Sequence, residues 1–281
     1  MDSSLKKQLE LDAARIRLDV IEGTFHAKSG HPGGSLSVTD TVAYLYRCVL
    51  RVDPSNPTWS MRDRLVLSKG HTAPALYGAL ALHGFFPESE IPRLRKIGAM
   101  LQGHPDMLKT PGVDMSTGSL GQGVSAACGM ALAGKLDDLS YRVYAILGDG
   151  EIQEGQVWEA AMFAAHKKLD NLCLIIDNNN LQIDGTLEQV NSPYPIREKF
   201  EAFGFDVFEA DGHDFESLEK AFGAVQAVTG KPQVIILKTV KGKGVSFMEN
   251  QVSWHGKATN AEEYEVAMAE LRAHLAALEE G

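Results

Sequence analysis

The sequence predicts an α/β domain: an open, mostly parallel sheet flanked by helices on both faces. Three stretches carry that expectation. Arg142 to Leu147 is a short apolar, β-rich run that ends in Gly148-Asp149-Gly150. Leu172 to Ile176 is a second apolar run, ending in Asp177-Asn178-Asn179-Asn180. Between them, Gln153 to Lys168 places Val157, Ala161, Ala164 and Ala165 at helical spacing on one face. Two parallel strands joined by a helix bring Asp149 and Asn178/Asn179 together at the carboxyl edge, where open α/β sheets take their ligands. The thirty residues from Asp149 to Asn179 match the length of one βαβ unit.

The remaining elements follow from the same periodicities. Leu5 to Thr24 reads as an amphipathic helix, with Leu11, Ala14, Leu18 and Ile21 on one side and a stop near Gly23. Ala27 to Ser37 reads as a Gly/Ser/Pro-rich loop around His31. Asp40 then caps a helix running to about Leu50. Arg64 to Ser68 is a short strand that delivers Lys69-Gly70-His71, and an Ala/Leu-rich helix follows to His83. Pro87 to Gly98 reads as a short charged helix, and Gln102 to Asp114 as a second Gly/Pro-rich loop that presents His104. Gln122 to Lys135 is a small-residue helix. Ile196 to Phe203 is a short helix, Phe205 to Glu209 a strand, and Asp214 a cap for the next helix. Gln233 to Val240, rich in β-branched residues, reads as a buried strand. Ala261 to Leu278 is a final amphipathic helix. With no repeat or linker in view, residues 1–281 are expected to form one domain.

Composition narrows the function classes. Lys and Arg number 27 against 37 Asp and Glu, a formal charge of −10, and no basic block is present. Binding to nucleic acid or an anionic membrane is therefore not expected. The three cysteines, Cys48, Cys128 and Cys173, fall in apolar patterns without a Cys-x-x-Cys pair, which suggests buried reduced thiols and a cytoplasmic setting. Neither a signal peptide nor a membrane span is legible.

An Asp carboxylate and an Asn amide oxygen at adjacent strand tips are hard ligands, suited to Mg²⁺ or Ca²⁺, and Mg²⁺ usually takes only one or two protein carboxylates plus phosphate oxygens. Gly148 and Gly150 let the backbone approach a phosphate, and the following helix directs its positive end there. A lone Gly-Asp-Gly is more often a capped turn; the second amide-rich tip shifts the reading to a metal–diphosphate site. Nucleotide folds fit poorly. Neither Gly118-x-x-Gly121-x-Gly123 nor the 148/150 pair spaces its glycines as a dinucleotide fingerprint, and Gly242-Lys243-Gly244 lacks the hydroxyl residue of a phosphate loop.

Gly-Asp-Gly followed at this distance by Asn-Asn resembles the metal–diphosphate motif of thiamine-diphosphate enzymes. The chain from about Ile16 to Lys257 is similar to the N-terminal domain of transketolases. The likeness rests on Ser29-Gly30-His31-Pro32-Gly33, Ser68-Lys69-Gly70-His71, Gly103-His104-Pro105, Ser116-Thr117-Gly118-Ser119-Leu120-Gly121-Gln122-Gly123 and Trp254-His255-Gly256, in family order. The resemblance implies Mg²⁺ (with Ca²⁺ or Mn²⁺ as substitutes) held by Asp149, Asn179 and the carbonyl of Leu181. It implies His71 and His255 at the diphosphate, Gly148 and Gly150 beside it, Gly118 and Leu120 at the aminopyrimidine, and His31 and His104 at the reacting end. Glu154 and Glu159 would lie at a dimer interface, linking the two cofactors through protons.

The reaction implied is transfer of a two-carbon ketol unit from a ketose phosphate to an aldose. Transketolases continue into a pyrimidine-binding and a C-terminal domain. This sequence stops short of them, which suggests a separate C-terminal subunit in an α₂β₂ assembly. A deoxyxylulose-phosphate-synthase-like enzyme, or a cofactor-binding homologue without catalysis, is the competing expectation. His83 and His213 read as structural.

Overall fold

The computed structural model describes residues 1–280. Along the chain run α1 (Ser3–Ala27), α2 (Pro32–Tyr44), β1 (Arg64–Leu67), α3 (Ala73–Leu82) and α4 (Gln122–Leu136). There follow β2 (Val143–Gly148), α5 (Gly155–His166), β3 (Leu172–Asn178), a two-stranded ribbon of β4 (Leu181–Gln182) and β5 (Gly185–Thr186), α6 (Leu187–Val190) and α7 (Ile196–Ala202). The chain closes with β6 (Asp206–Asp211), α8 (Phe215–Gln226), β7 (Gln233–Lys238) and α9 (Ala261–Glu280).

Five strands form one sheet in the order β1-β2-β3-β7-β6, and every pairing in it is parallel. Side chains alternate between its faces, as a two-residue period demands. Tyr144, Ile146, Cys173, Ile175, Ile235 and Leu237 join α1, α2, α3, α8 and α9 in one core. Val143, Ala145, Leu147, Leu172, Leu174, Ile176 and Val234 join α4, α5 and α7 in the other. Strands β2, β3 and β7 are covered on both faces, which explains their unbroken apolar runs. Edge strand β6 carries Asp206, Glu209 and Asp211, charges that blunt an open edge.

Several local expectations need correction. Helix α1 does not stop at Gly23; it runs to Ala27 and closes on left-handed Lys28. Gly23 is instead a packing contact, since a Cβ there would press on the Ile91 carbonyl oxygen at 3.3 Å. The loop around His31 is shorter than expected, because α2 begins at Pro32, a residue pre-set for a first helical turn. Asp40 is therefore no cap. It lies inside α2, buried, and takes hydrogen bonds from Arg17 and His213. Residues 45–49 leave the α-helix as a π-turn, and Cys48 in it is exposed while Cys128 and Cys173 are buried. The stretch after Pro87 forms only a 3₁₀ turn, Glu88–Arg93, interrupted by Pro92. Asp214 does cap α8, accepting from Glu216 N–H at 3.0 Å.

Candidate active site

Four neighbouring strands end on polar side chains at the same carboxyl edge. β1 leads to Lys69, β2 to Asp149, β3 to Asp177 and Asn179, and β7 to Thr239 and Lys241. Asp177 sits at the centre and is fully buried. Its carboxylate takes the Lys69 ammonium, the hydroxyls of Ser37 and Thr239, and the Asn179 amide at 3.1 Å. Burial works against ionisation, but Lys69 and these hydrogen bonds hold its pKa below the usual carboxylate range. Removing one partner of a buried ion pair strands the other, at a cost of about 3–5 kcal/mol. Asp177→Asn is therefore expected to lower the melting temperature of the chain by several degrees, measured by circular dichroism; an unchanged midpoint would show that the pair contributes nothing.

The two strand tips expected to lie side by side do meet. β2 and β3 pair Gly148 with Asp177, and Asp149 N–H donates to the Asp177 carbonyl at 3.2 Å. Asp149 accepts from the backbone N–H groups of Gly150 and Asn180. Asn178 is engaged by the Tyr194 hydroxyl at 2.7 Å, whereas Asn179 is buried and hydrogen-bonded to Ser37, Asp177 and Leu181 N–H. The Leu181 carbonyl accepts from Lys241 Nζ at 2.8 Å.

Two of these groups are electrostatically incomplete. Asp149 is 2% exposed and no ion pair among the described residues includes it; burial, then the charge on Asp177, push its pKa up to about 7. Lys241 is also 2% exposed, and among the described residues its ammonium hydrogen-bonds only to the Leu181 carbonyl and His255 Nδ1, each at 2.8 Å. Burial and the nearby Lys69 charge bring its pKa down to about 8. A buried carboxylate with no cation in contact and a buried ammonium with no anion in contact each carry a desolvation cost that charges further off only partly offset. A divalent cation bridged to a diphosphate satisfies both at once, so the donors present fit that group. Among the described residues no group of three His, Cys, Asp or Glu side chains could hold a metal ion.

Above these tips the four predicted histidines converge. His31 lies 5.1 Å from His71, 5.6 Å from His255 and 6.4 Å from His104, ring centre to ring centre, and His71 stacks on His255 at 5.2 Å. His31 comes from the α1–α2 connection and His71 from the 3₁₀ turn Gly70–Thr72. Gly33 allows the chain carrying His255 to close over α2, because a Cβ there would fall 2.7 Å from the Trp254 carbonyl oxygen. Gly118, at φ +142°, backs onto the His104 ring, where a Cβ would come within 2.8 Å. Burial is the leading cause of lowered pKa values in all four rings, assisted by Arg95 at His31 and His104, by Lys69 at His71 and by Lys241 at His255; His31 falls to about 4 and His255 to about 3. Neutral imidazoles can accept protons and hydrogen bonds. His31 Nδ1 is buried without a hydrogen-bond partner among the described residues, and the Lys241 ammonium makes His255 Nδ1 an acceptor, leaving its proton on Nε2.

One residue not singled out by the sequence organises the rest of the rim. Glu151 is buried and accepts from the Ser68 hydroxyl, Gly121 N–H and Gly148 N–H, tying the β1 tip, the start of α4 and the β2 tip together. Leu120 is partly exposed on that rim. Glu154 and Glu159 stand apart from the histidines, exposed at the start and on the solvent side of α5. A Cβ on Gly121 would touch the Cβ and Cγ of Glu154, so the stem of that side chain borders the Leu120 turn even though Glu154 is not part of the histidine cluster.

A parallel α/β sheet that buries an unpaired carboxylate and an unpaired ammonium at its carboxyl edge, beneath a cluster of neutral histidines, has the layout of a cofactor-binding domain. The family described as "Transketolase, thiamine diphosphate binding domain" matches residues 8–276, and the chain belongs to it. The 6-deoxy-6-sulfo-D-fructose transketolase subunit of Clostridium sp. (strain MSTE9) is 49% identical over 242 residues, covering 86% of this chain and 88% of that protein. An apulose-4-phosphate transketolase subunit from Phocaeicola vulgatus is 42% identical over 271 residues, covering 96% of both. The crystal structure of transketolase from Campylobacter jejuni superposes with a TM-score of 0.90 at 33% identity over 99% of this chain, but over only 46% of that longer protein.

Proposed function

We propose that this chain is the diphosphate-binding subunit of a two-chain transketolase. In this reading it moves a ketol unit from a ketose phosphate to an aldose with thiamine diphosphate and Mg²⁺. The observation that carries the reading is the unbalanced pair beneath the histidines: Asp149 calls for a cation and Lys241 for an anion. Asp149, the Asn179 amide and the Leu181 carbonyl would hold the metal. Lys241, His71 and His255 would hold the diphosphate. When bound, thiamine diphosphate supplies the electron sink for carbon–carbon cleavage. His31 and His104 would orient sugar hydroxyls and move protons at the open end of the site.

A separate chain carrying the pyrimidine-binding half is part of the proposal. Two relatives of matching length are themselves named as transketolase subunits, and the sheet-edge site is open on the side bordered by Leu120 and Glu154. Met162 and Phe163 are exposed on α5, the helix that carries Glu159, and suit an apolar interface. An α₂β₂ assembly places two such sites between chains. Three unpaired cysteines support a cytoplasmic setting. No helix among the described residues is long and apolar enough to cross a membrane. The test is reconstitution: the chain, its partner, thiamine diphosphate and Mg²⁺ are expected to transfer a two-carbon unit between sugar phosphates. Cofactor binding with no transfer from any ketose tried would favour a non-catalytic homologue instead.

A further inference from the structure

We infer that the pair formed by buried Asp40 and half-buried His213 is a positioning device, which clamps the strap Val240–Lys243 and so sets Lys241 against the diphosphate. The inference rests on the proposed diphosphate site. His213 lies in the turn after β6, far from the four clustered histidines in sequence and bonded to none of them. Its Nε2 accepts the Val240 N–H at 2.8 Å, so the ring proton resides on Nδ1, which donates to Asp40 Oδ2 at 2.6 Å. The same carboxylate oxygen receives the Arg17 guanidinium, and Arg17 Nε donates to the Lys243 carbonyl at 3.1 Å. Two backbone groups three residues apart on the strap are thus referred to one carboxylate.

Within the strap, Gly242 N–H donates to the Gly33 carbonyl and the Lys241 carbonyl accepts from Asn250 N–H, each at 2.9 Å. The backbone of Lys241 is held from both sides while its side chain reaches over Leu181 and His255. A lysine side chain is a flexible four-carbon stem with little intrinsic direction, so its aim depends on where its backbone is fixed. Helix α2, which supplies Asp40, also supplies Ser37 to Asp177, so the clamp and the strand tips share one rigid support. Neither Asp40 nor His213 hydrogen-bonds to the Lys241 side chain, and any influence on the ligand passes through the strap.

A double-variant cycle on the assembled two-chain complex tests this. Affinity for inorganic pyrophosphate with Mg²⁺, and separately for thiamine diphosphate with Mg²⁺, is read by titration calorimetry in wild type, His213→Phe, Lys241→Met and the double variant. His213→Phe is expected to weaken pyrophosphate binding about tenfold, the scale of one hydrogen bond lost from a positioned group. The double variant is expected to bind no more weakly than Lys241→Met alone. His213→Gln, whose amide can accept from Val240 N–H and donate to Asp40, is expected to return affinity to within a few-fold of wild type. If His213→Phe does not assemble, His213→Asn, too short to reach both partners, takes its place in the cycle. Unchanged affinity in the His213 variant, or losses that multiply in the double variant, would overturn the inference. A wild-type complex that binds neither ligand would instead overturn the site reading beneath it.

Discussion

Asp149→Ala is expected to abolish Mg²⁺-dependent binding of thiamine diphosphate to the assembled complex, a loss of at least about a hundredfold in affinity. The change removes the one carboxylate of the proposed metal site while leaving Asn179 and the Leu181 carbonyl in place. Its size follows from charge: a hard dication there would keep only neutral oxygens as protein ligands, because the neighbouring Asp177 carboxylate is already paired with Lys69. A pH profile adds a second readout. Because burial raises the Asp149 pKa from 3.8 to about 7, the folded chain without ligand holds a proton that the unfolded chain releases. Stability from that proton is fully present below pH 3.8 and is lost as pH rises through about 7. Metal binding requires the ionised form, so Mg²⁺ affinity should climb as pH rises towards about 7 and level off above it. Asp149→Asn is expected to flatten both profiles and, above about pH 7, to melt at a higher temperature than wild type without ligand. Retained affinity in Asp149→Ala, by calorimetry at fixed pH, would remove the metal from these strand tips.

His31→Ala is expected to reduce kcat by about 10²–10⁴-fold with cofactor saturating, the range for loss of a positioned proton-transfer group. Metal and cofactor affinity should change by no more than a few-fold. His31 stands at the centre of the histidine cluster, with an unpartnered buried Nδ1, and it makes no hydrogen bond to Asp149, Asn179 or Leu181. With its pKa near 4, the ring is neutral across the physiological range, so the defect should be nearly independent of pH from about 6 to 8. Steady-state kinetics paired with calorimetry separate the two effects. A loss of cofactor affinity as large as the loss of kcat would make His31 an anchor rather than a reacting group. His104→Ala is expected to act in the same direction, with a smaller effect, since it is the most exposed ring of the four.

How far a feature can be read from the sequence follows from how local its signal is. β2, α5 and β3 are legible because two apolar runs and one helical face lie close together in the chain, and Asp149 and Asn179 inherit their proximity from that unit. The four histidines meet although they span residues 31 to 255, and only their motif context, not periodicity, points to one mouth. The roles of Lys69, Asp177, Glu151 and Lys241 are not legible. A lysine in Ser-Lys-Gly or Lys-Gly-Lys is ordinarily a solvated turn residue, and burial depends on tertiary neighbours that no short window contains. A topological signal exists nonetheless: each lies at or just past the carboxyl end of a strand in the same sheet. Asp40 resembles a cap in the sequence because its partners, Arg17 and His213, come from remote elements. Cys48 fits a buried pattern only if the helix continues, and the chain makes a π-turn there instead.

Cooperativity between cation and anion tests the central claim most directly. Calorimetry on the assembled complex should measure Mg²⁺ alone, pyrophosphate alone, and each in the presence of the other. If Asp149 and Lys241 wait for opposite halves of one ligand, each component raises the affinity of the other by the same factor, at least about tenfold. Two components that bind independently, or pyrophosphate that binds equally well with Mg²⁺ chelated, would contradict it.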